Sequence, residues 1–406
     1  MTATRMLFRA ATLAALAAGW FLAAYLLWDS STVPGDLSLP KVDPGTYVPE
    51  AVLDRADRFE RFQRWNFVLA TLALLATLAF YARRGHRFMR ESAAGRVGTG
   101  MLLGMLGFAL VWLAQLPFAI AGFWWYRRHD LAEGDYLEFV FGDWLVLGFT
   151  FLSLCLALLI VMGLAGVMGR WWWVLGGPAF VGIAALFLFL YPYLSDLDRP
   201  DDRALIVRAR AIAEKAGVEG VPLRVEKVSD QTDLVNAWAA GLGPSRRVAL
   251  WDTLLDGRFT DAQVDVVIAH EYGHHAHAHL SKGIAWYALF AIPGAFGIEL
   301  LTRRKGGMRN PAAVPLSLFV LVALQLVATP LDNAITRHME AEADWAALST
   351  TRDPVAAQRL FAGFTRTSLS DPHPPTWSYI LLETHPTIEQ RIAMAEAWKK
   401  RARGTR

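Results

Sequence analysis

Apolar residues run almost unbroken near 10–28, 66–82, 100–126, 145–168, 171–195, 284–302 and 311–331, with polar segments between them. At about 1.5 Å per helical residue, runs of this length cross or nearly cross a hydrocarbon core about 30 Å thick. The pattern predicts a mainly α membrane protein with seven transmembrane helices. Arg5 and Arg9 precede the first run as they would in a signal peptide. That run exceeds an h-region of about 7–15 residues, which favours a retained helix.

The polar segments carry other periods. Pro34, Pro40, Pro44 and Pro49 keep the chain extended before "AVLDRADRFERFQRWN", which sets apolar residues at helical spacing against arginines and aspartates. Such a stretch suits an interfacial helix or a solvated helical extension. From about 196 to 282 the signals are those of a water-soluble unit. "RALIVRARAIAEKAG" is helical and ends on Gly217, whereas "LRVEKV", "NAWAAGLG" and "RRVALWDTLL" read as short strands of a small antiparallel sheet. "TDAQVDVVIAHEYGHHAHAHL" then opens on Thr260 and Asp261 as caps and continues as a helix. The expected division is a membrane domain over 1–200 with five spans and a second domain over 201–406, interrupted by the last two spans.

Composition agrees with a membrane protein: 54% of the 406 residues are hydrophobic and only 19% are charged. A net charge of +3 with no nucleic-acid-binding motif argues against a nucleic-acid partner. Cys155 is the single cysteine, which excludes disulfides and thiolate metal sites. The expected location is a bacterial inner membrane, multi-pass. The basic loops "RRGHRFMR" and "RRKGGMR" place themselves in the cytoplasm and both polar segments outside, while Arg55, Arg58, Arg61 and Arg64 favour the opposite arrangement.

The chemistry lies in "HEYGHHAHAH", residues 270–279, with five histidines in ten positions. His270 and His274 are four apart, so on a helix advancing about 100° per residue they share a face and suit one metal ion. Glu271 falls beside that face, where a carboxylate takes a proton from an attacking water. H-E-x-x-H arises by chance in about one such sequence in a hundred, and a catalytic zinc needs a third ligand. "TRHMEAEADWA", residues 336–346, offers Glu340 on a common face with Arg337 and Asp344, and Glu342 on a different face; one of the two glutamates serves, not both. Asp344 is then placed to orient a ligand imidazole or to pair with Arg337.

H-E-x-x-H followed by E-x-x-A-D, here Glu340 to Asp344, resembles the zinc metallopeptidase family of the type I CAAX prenyl proteases and HtpX-type heat-shock proteases. Gly273 and His279 meet the extended form H-E-x-G-H-x-x-x-x-H, "NAWAAG" resembles the branch's substrate strand through Asn236, Ala237 and Gly241, and "THPTIEQRI" resembles its C-terminal element through His385, Pro386 and Arg391. The resemblance implies a helical barrel around a water-filled chamber, with a gluzincin-like α+β zinc-protease domain. It also implies zinc on His270, His274 and Glu340, Glu271 as general base, and His385 with Arg391 at the oxyanion. The resemblance further implies that Asn236 and Ala237 bind the substrate, a protein or peptide that is lipidated or drawn from membrane or misfolded proteins. The resemblance to the eukaryotic members implies a cytosolic catalytic side, against the charge rule.

Blander readings stand beside these. His279 lies about 180° from His270 on a regular helix and reads as structural, His277 as lining a turn further on, and His275 as packed or solvated. His373 begins a second H-P pair without the matching arginine. The rival function is a non-proteolytic membrane chaperone or transporter with a structural zinc, against which Glu271 argues because such a site needs no general base.

Overall fold

The protein, described over residues 3–142 and 144–404 of a computed structural model, begins with α1 (Ala3–Trp28), α2 (Glu50–Arg84), α3 (Gly95–Arg128), a short α4 (Tyr136–Phe141), α5 (Trp144–Met168) and α6 (Trp173–Leu194). The polar unit follows as α7 (Arg203–Lys215), β1 (Leu223–Glu226), β2 (Ala237–Ala240), β3 (Arg247–Trp251) and α8 (Asp261–Ala276). Then come α9 (His279–Thr302), α10 (Val314–Thr351), α11 (Pro354–Thr367), α12 (Thr376–Leu382) and α13 (Ile388–Gly404).

Among the described residues, six helices are long and apolar enough to cross a membrane: α2, α3, α5, α6, α9 and α10, some with short helical extensions. The seventh expected span corresponds to α1, whose apolar part, Ala14–Trp28, is shorter than the others. It rests on α9, with Trp20 Nε1 donating to the Leu289 carbonyl at 2.9 Å. The chain is a multi-pass integral membrane protein.

Small residues let these helices approach. A Cβ at Gly104 would lie 2.3 Å from Leu158 of α5, and one at Gly107 2.7 Å from Leu318 of α10. Helices in lipid associate largely by such close packing, because the tails around them are as apolar as leucine. Trp172, buried at the start of α6, donates its indole N–H to the buried Glu299 of α9 at 2.9 Å.

Two helices outrun the bilayer. α2 has 35 residues and α10 has 38, so at about 1.5 Å per residue both exceed 50 Å against a core of about 30 Å. The charged stretch from Glu50 to Arg64 is therefore one continuous extension of the second span. Buried Arg64 carries the joint to the polar part: its guanidinium binds Glu60 on its own helix and Asp371 in the loop between α11 and α12.

The sheet corrects one expectation: it is mixed, not antiparallel. Its order is β1-β3-β2, with β2 antiparallel to β3 and β1 parallel to it. A tight connection through Gly241–Arg246 makes β2 and β3 a hairpin, and the Lys227–Asn236 link is long enough to carry β1 to the far side of β3. Val248, Ala249 and Leu250 of the central strand are fully buried, as a strand covered on both faces requires. Glu226 on β1 accepts the indole N–H groups of Trp238 and Trp251, tying the three strands together. Their core continues through Ile268 and Tyr272 of α8 to Phe361 of α11 and Ile392 of α13.

Removing Arg64 would leave Glu60 and Asp371 without their shared counter-charge. Arg64→Ala is expected to cost about 3–5 kcal/mol, read as a lowered unfolding temperature of the purified protein in detergent. An unchanged temperature would show that the joint contributes nothing to stability.

Candidate metal centre

α8 starts at Thr260, whose backbone N–H donates to the Gln263 side chain at 2.9 Å, a capping arrangement that sets the register of the whole helix. Gly273 lies where α8 meets α10, and a Cβ there would come 3.2 Å from the Ala346 Cβ and 3.4 Å from the Ala343 Cα. This close crossing brings the H-E-x-x-H turn against the carboxylates of α10. Counting from Val314, Glu340 lies about 39 Å along α10, just beyond a hydrocarbon core of about 30 Å.

His270, His274 and Glu340 each present a ligand atom, and these atoms lie within 4.8 Å of one another. His270 Nε2 is 3.1 Å from Glu340 Oε2 and 3.2 Å from His274 Nε2, while His274 Nε2 is 3.6 Å from Glu340 Oε1. The other nitrogen of His270, Nδ1, is 2.9 Å from Asp344 Oδ1. With Nδ1–H donated to that carboxylate, Nε2 keeps its lone pair for a metal.

The donor set fits a zinc ion. Two imidazoles and a carboxylate converge, the three-residue donor set that a catalytic zinc takes from protein. Burial opposes a charge on His270, while the Asp344 and Glu340 carboxylates beside it raise its pKa to about 10. Burial drives His274 down to about 3, which keeps its imidazole neutral and able to ligate. Glu271 is buried beside them, and burial pushes its carboxyl up to about 7.

Glu342 points away from the triad, so the choice left open between the two glutamates falls to Glu340. Arg337 does not pair with Asp344. Its guanidinium donates to the carbonyls of Tyr379 and Glu383 and lies over the Tyr379 ring, fastening the α12 segment to α10. Arg391 takes the place expected for Arg337, donating Nε and Nη2 to the two Asp344 oxygens at 2.8 and 2.7 Å while stacking on Phe361. Its charge is committed to Asp344. His385 is half exposed, and its Nε2 is 3.1 Å from Glu340 Oε2.

The helix also ends earlier than its periodicity suggests. α8 stops at Ala276, Ala278 takes a left-handed backbone with φ of 56°, and α9 begins at His279. His279 therefore turns back, its Nδ1 3.0 Å from His274 Nδ1, instead of lying across the helix from His270. His275 is packed, its Nε2 bonded to the Arg247 carbonyl at 2.9 Å, and His277 approaches Glu342 at 3.5 Å. His373 is exposed and pairs with Glu389.

A cleft of about 280 Å³ opens beside the triad. Asn236, Ala237, His270, Glu271, His385 and Arg391 line it, together with the apolar side chains of Val266, Leu360, Phe361 and Phe364. Sequence reasoning missed that Glu60, Asp371 and Glu383 also line it. Nothing in the local pattern around Glu60 distinguishes it from any other acidic position of an amphipathic helix.

Residues 201–399 match the profile described as peptidase family M48. The chain is 29% identical over 246 residues to an uncharacterized metalloprotease, YhfN, of Bacillus subtilis, a match spanning 56% of each protein. It is 28% identical over 212 residues to a protease HtpX homolog of Acidiphilium cryptum, covering 47% of this chain and 71% of that one. The crystal structure of S. mikatae Ste24p superposes with a TM-score of 0.72 at 16% identity, over 97% of this chain and 99% of the other, so the two share a fold.

Asp344→Asn weakens the acceptor that orients His270 and is expected to lower zinc affinity about 10- to 100-fold, measured by competition with a chelator. Gly273→Val, which separates α8 from α10, should weaken it as well. Wild-type affinity in both variants would remove Asp344 and the helix crossing from the account of the metal site.

Proposed function

We propose, from the premise that residues 201–399 belong to peptidase family M48, that the chain is a membrane-embedded zinc metalloendopeptidase. The observation that carries this reading is a buried carboxylate, Glu271, beside a convergent His270, His274 and Glu340 set and lining, with His270, a cleft of about 280 Å³. A structural zinc would have four protein ligands and no need of a neighbouring base.

His270, His274 and Glu340 would hold the ion. When bound, zinc supplies a Lewis acid for the scissile carbonyl and makes water acidic near neutral pH. Glu271 accepts the proton of the attacking water and delivers it to the leaving amine, work suited to a carboxyl pushed up to about 7. His385, which lines the cleft, would donate to the developing oxyanion. Arg391 acts through Asp344, which fixes the tautomer and orientation of His270.

Substrate binding follows from the sheet. β2 is an edge strand, and its antiparallel register turns the backbone groups of Ala237 and Ala239 away from β3. A peptide laid along that edge is held extended by backbone hydrogen bonds. Asn236 Oδ1 accepts the Ala237 N–H at 2.9 Å and would yield that donor to the substrate. The apolar side chains of Val266, Leu360, Phe361 and Phe364 suit a hydrophobic side chain next to the cut. Substrates are membrane or unfolded proteins, or lipidated C-terminal peptides if a prenyl group is recognised.

The test is cleavage of an unmodified unfolded protein and of a prenylated CAAX-type peptide by purified wild type and Glu271→Gln, with zinc quantified in both. Wild type should cut while the zinc-loaded variant loses about 100- to 10,000-fold in rate. Full activity in Glu271→Gln would refute the mechanism, and equal rates on both substrates would exclude lipid recognition.

A further inference from the structure

The two ligand histidines are oriented differently. His270 reaches a carboxylate directly, through Nδ1 to Asp344. His274 reaches one only through a second imidazole: its Nδ1 is 3.0 Å from His279 Nδ1, and His279 Nε2 is 2.9 Å from Glu342 Oε2.

One assignment of protons satisfies every contact in this chain. His274 Nε2 faces His270 and Glu340, so its lone pair belongs there and the proton sits on Nδ1. That Nδ1–H donates to Nδ1 of His279, which leaves His279 with its proton on Nε2, donated in turn to Glu342. The direction is set at both ends, by the ligand position at one and by an acceptor-only carboxylate at the other.

Glu342 is 1% exposed and needs further donors to remain in place. It finds them in Lys282 Nζ of α9 at 3.4 Å, in His277 Nδ1 at 3.5 Å and, from a different segment, in the backbone N–H of Thr32 at 2.6 Å. Thr32 follows α1 and lies outside the peptidase region matched over 201–399. The same stretch grips α10 one turn earlier, where Trp28 stacks on His338 with centroids 4.2 Å apart and its carbonyl accepts from His338 Nε2 at 3.0 Å.

We propose that His279 and Glu342 are positioning residues for His274, and that the segment Trp28–Thr32 completes this support by clamping Glu342 from the N-terminal side. The proposal rests on the metal site assigned above. It makes the N-terminal segment part of the zinc centre and not only of the membrane anchor.

The experiment uses the full chain in detergent. Zinc is titrated against a chelator for wild type, His279→Ala, His279→Gln, Glu342→Gln and Thr32→Pro, and the unfolding temperature of each metal-free protein is measured alongside. His279→Ala should weaken zinc about 10- to 100-fold. His279→Gln keeps one acceptor and one donor and should restore most of the loss, while Glu342→Gln falls between. Thr32→Pro removes a single N–H from Glu342 and should weaken zinc severalfold with little change in the metal-free unfolding temperature. A merely structural histidine would lower the unfolding temperature without separating alanine from glutamine.

Wild-type affinity in His279→Ala, or no advantage of glutamine over alanine, overturns the relay, and wild-type affinity in Thr32→Pro overturns the clamp. A wild type that binds zinc but cuts no peptide defeats the peptidase reading alone. One that binds no zinc defeats both.

Discussion

His270 of α8 and Glu340 of α10, 70 residues apart in sequence, meet at 3.1 Å only because the two backbones nearly touch, and Gly273 of α8 against Ala343 and Ala346 of α10 provides that contact. The approach is tight enough that a side chain on Gly273 would press on α10. Because interiors are close-packed, a shift of this size is felt at once by the groups on either side. Asp344, one residue from Ala343, binds His270 across the crossing and Arg391 behind it, so the contact also joins α13 to the site.

Burying an ion is costly unless it is paired, and three of the buried carboxylates here have partners: Glu340 the imidazoles, Asp344 an imidazole and a guanidinium, Glu342 two imidazoles, an ammonium and a backbone N–H. Arg64 plays the same part for Glu60 and Asp371, which line the cleft. These pairs hold the loops that line the cleft to helices anchored in the bilayer.

The membrane-spanning helices and the polar part are consequently interwoven. α9 and α10 cross the bilayer and also begin or end in the site, α2 extends from the membrane to the cleft, and the segment after α1 reaches α10. A long continuous helix is a stiff way to join the two environments, because its backbone hydrogen bonds are satisfied internally in both.

Spans, soluble segments and the H-E-x-x-H face were legible in the sequence because they depend on local periodicity: an apolar run of helical length, or two histidines four apart, means the same wherever the helix lies. Asp344 as the orienting group was readable for the same reason. Its partner was not, since Arg337 and Arg391 carry the same charge, and only packing against Phe361 and Tyr379 placed the first away from Asp344 and the second upon it. The sheet's parallel pair depended on how a connection passes β3, and the role of His279 on a left-handed residue at Ala278 that ends one helix and begins the next. The sequence alone determined which residue types could do metal chemistry and on which helical face. Tertiary structure alone decided which arginine holds Asp344 and which carboxylates wall the cleft, because those choices are made by contacts between segments far apart in the chain.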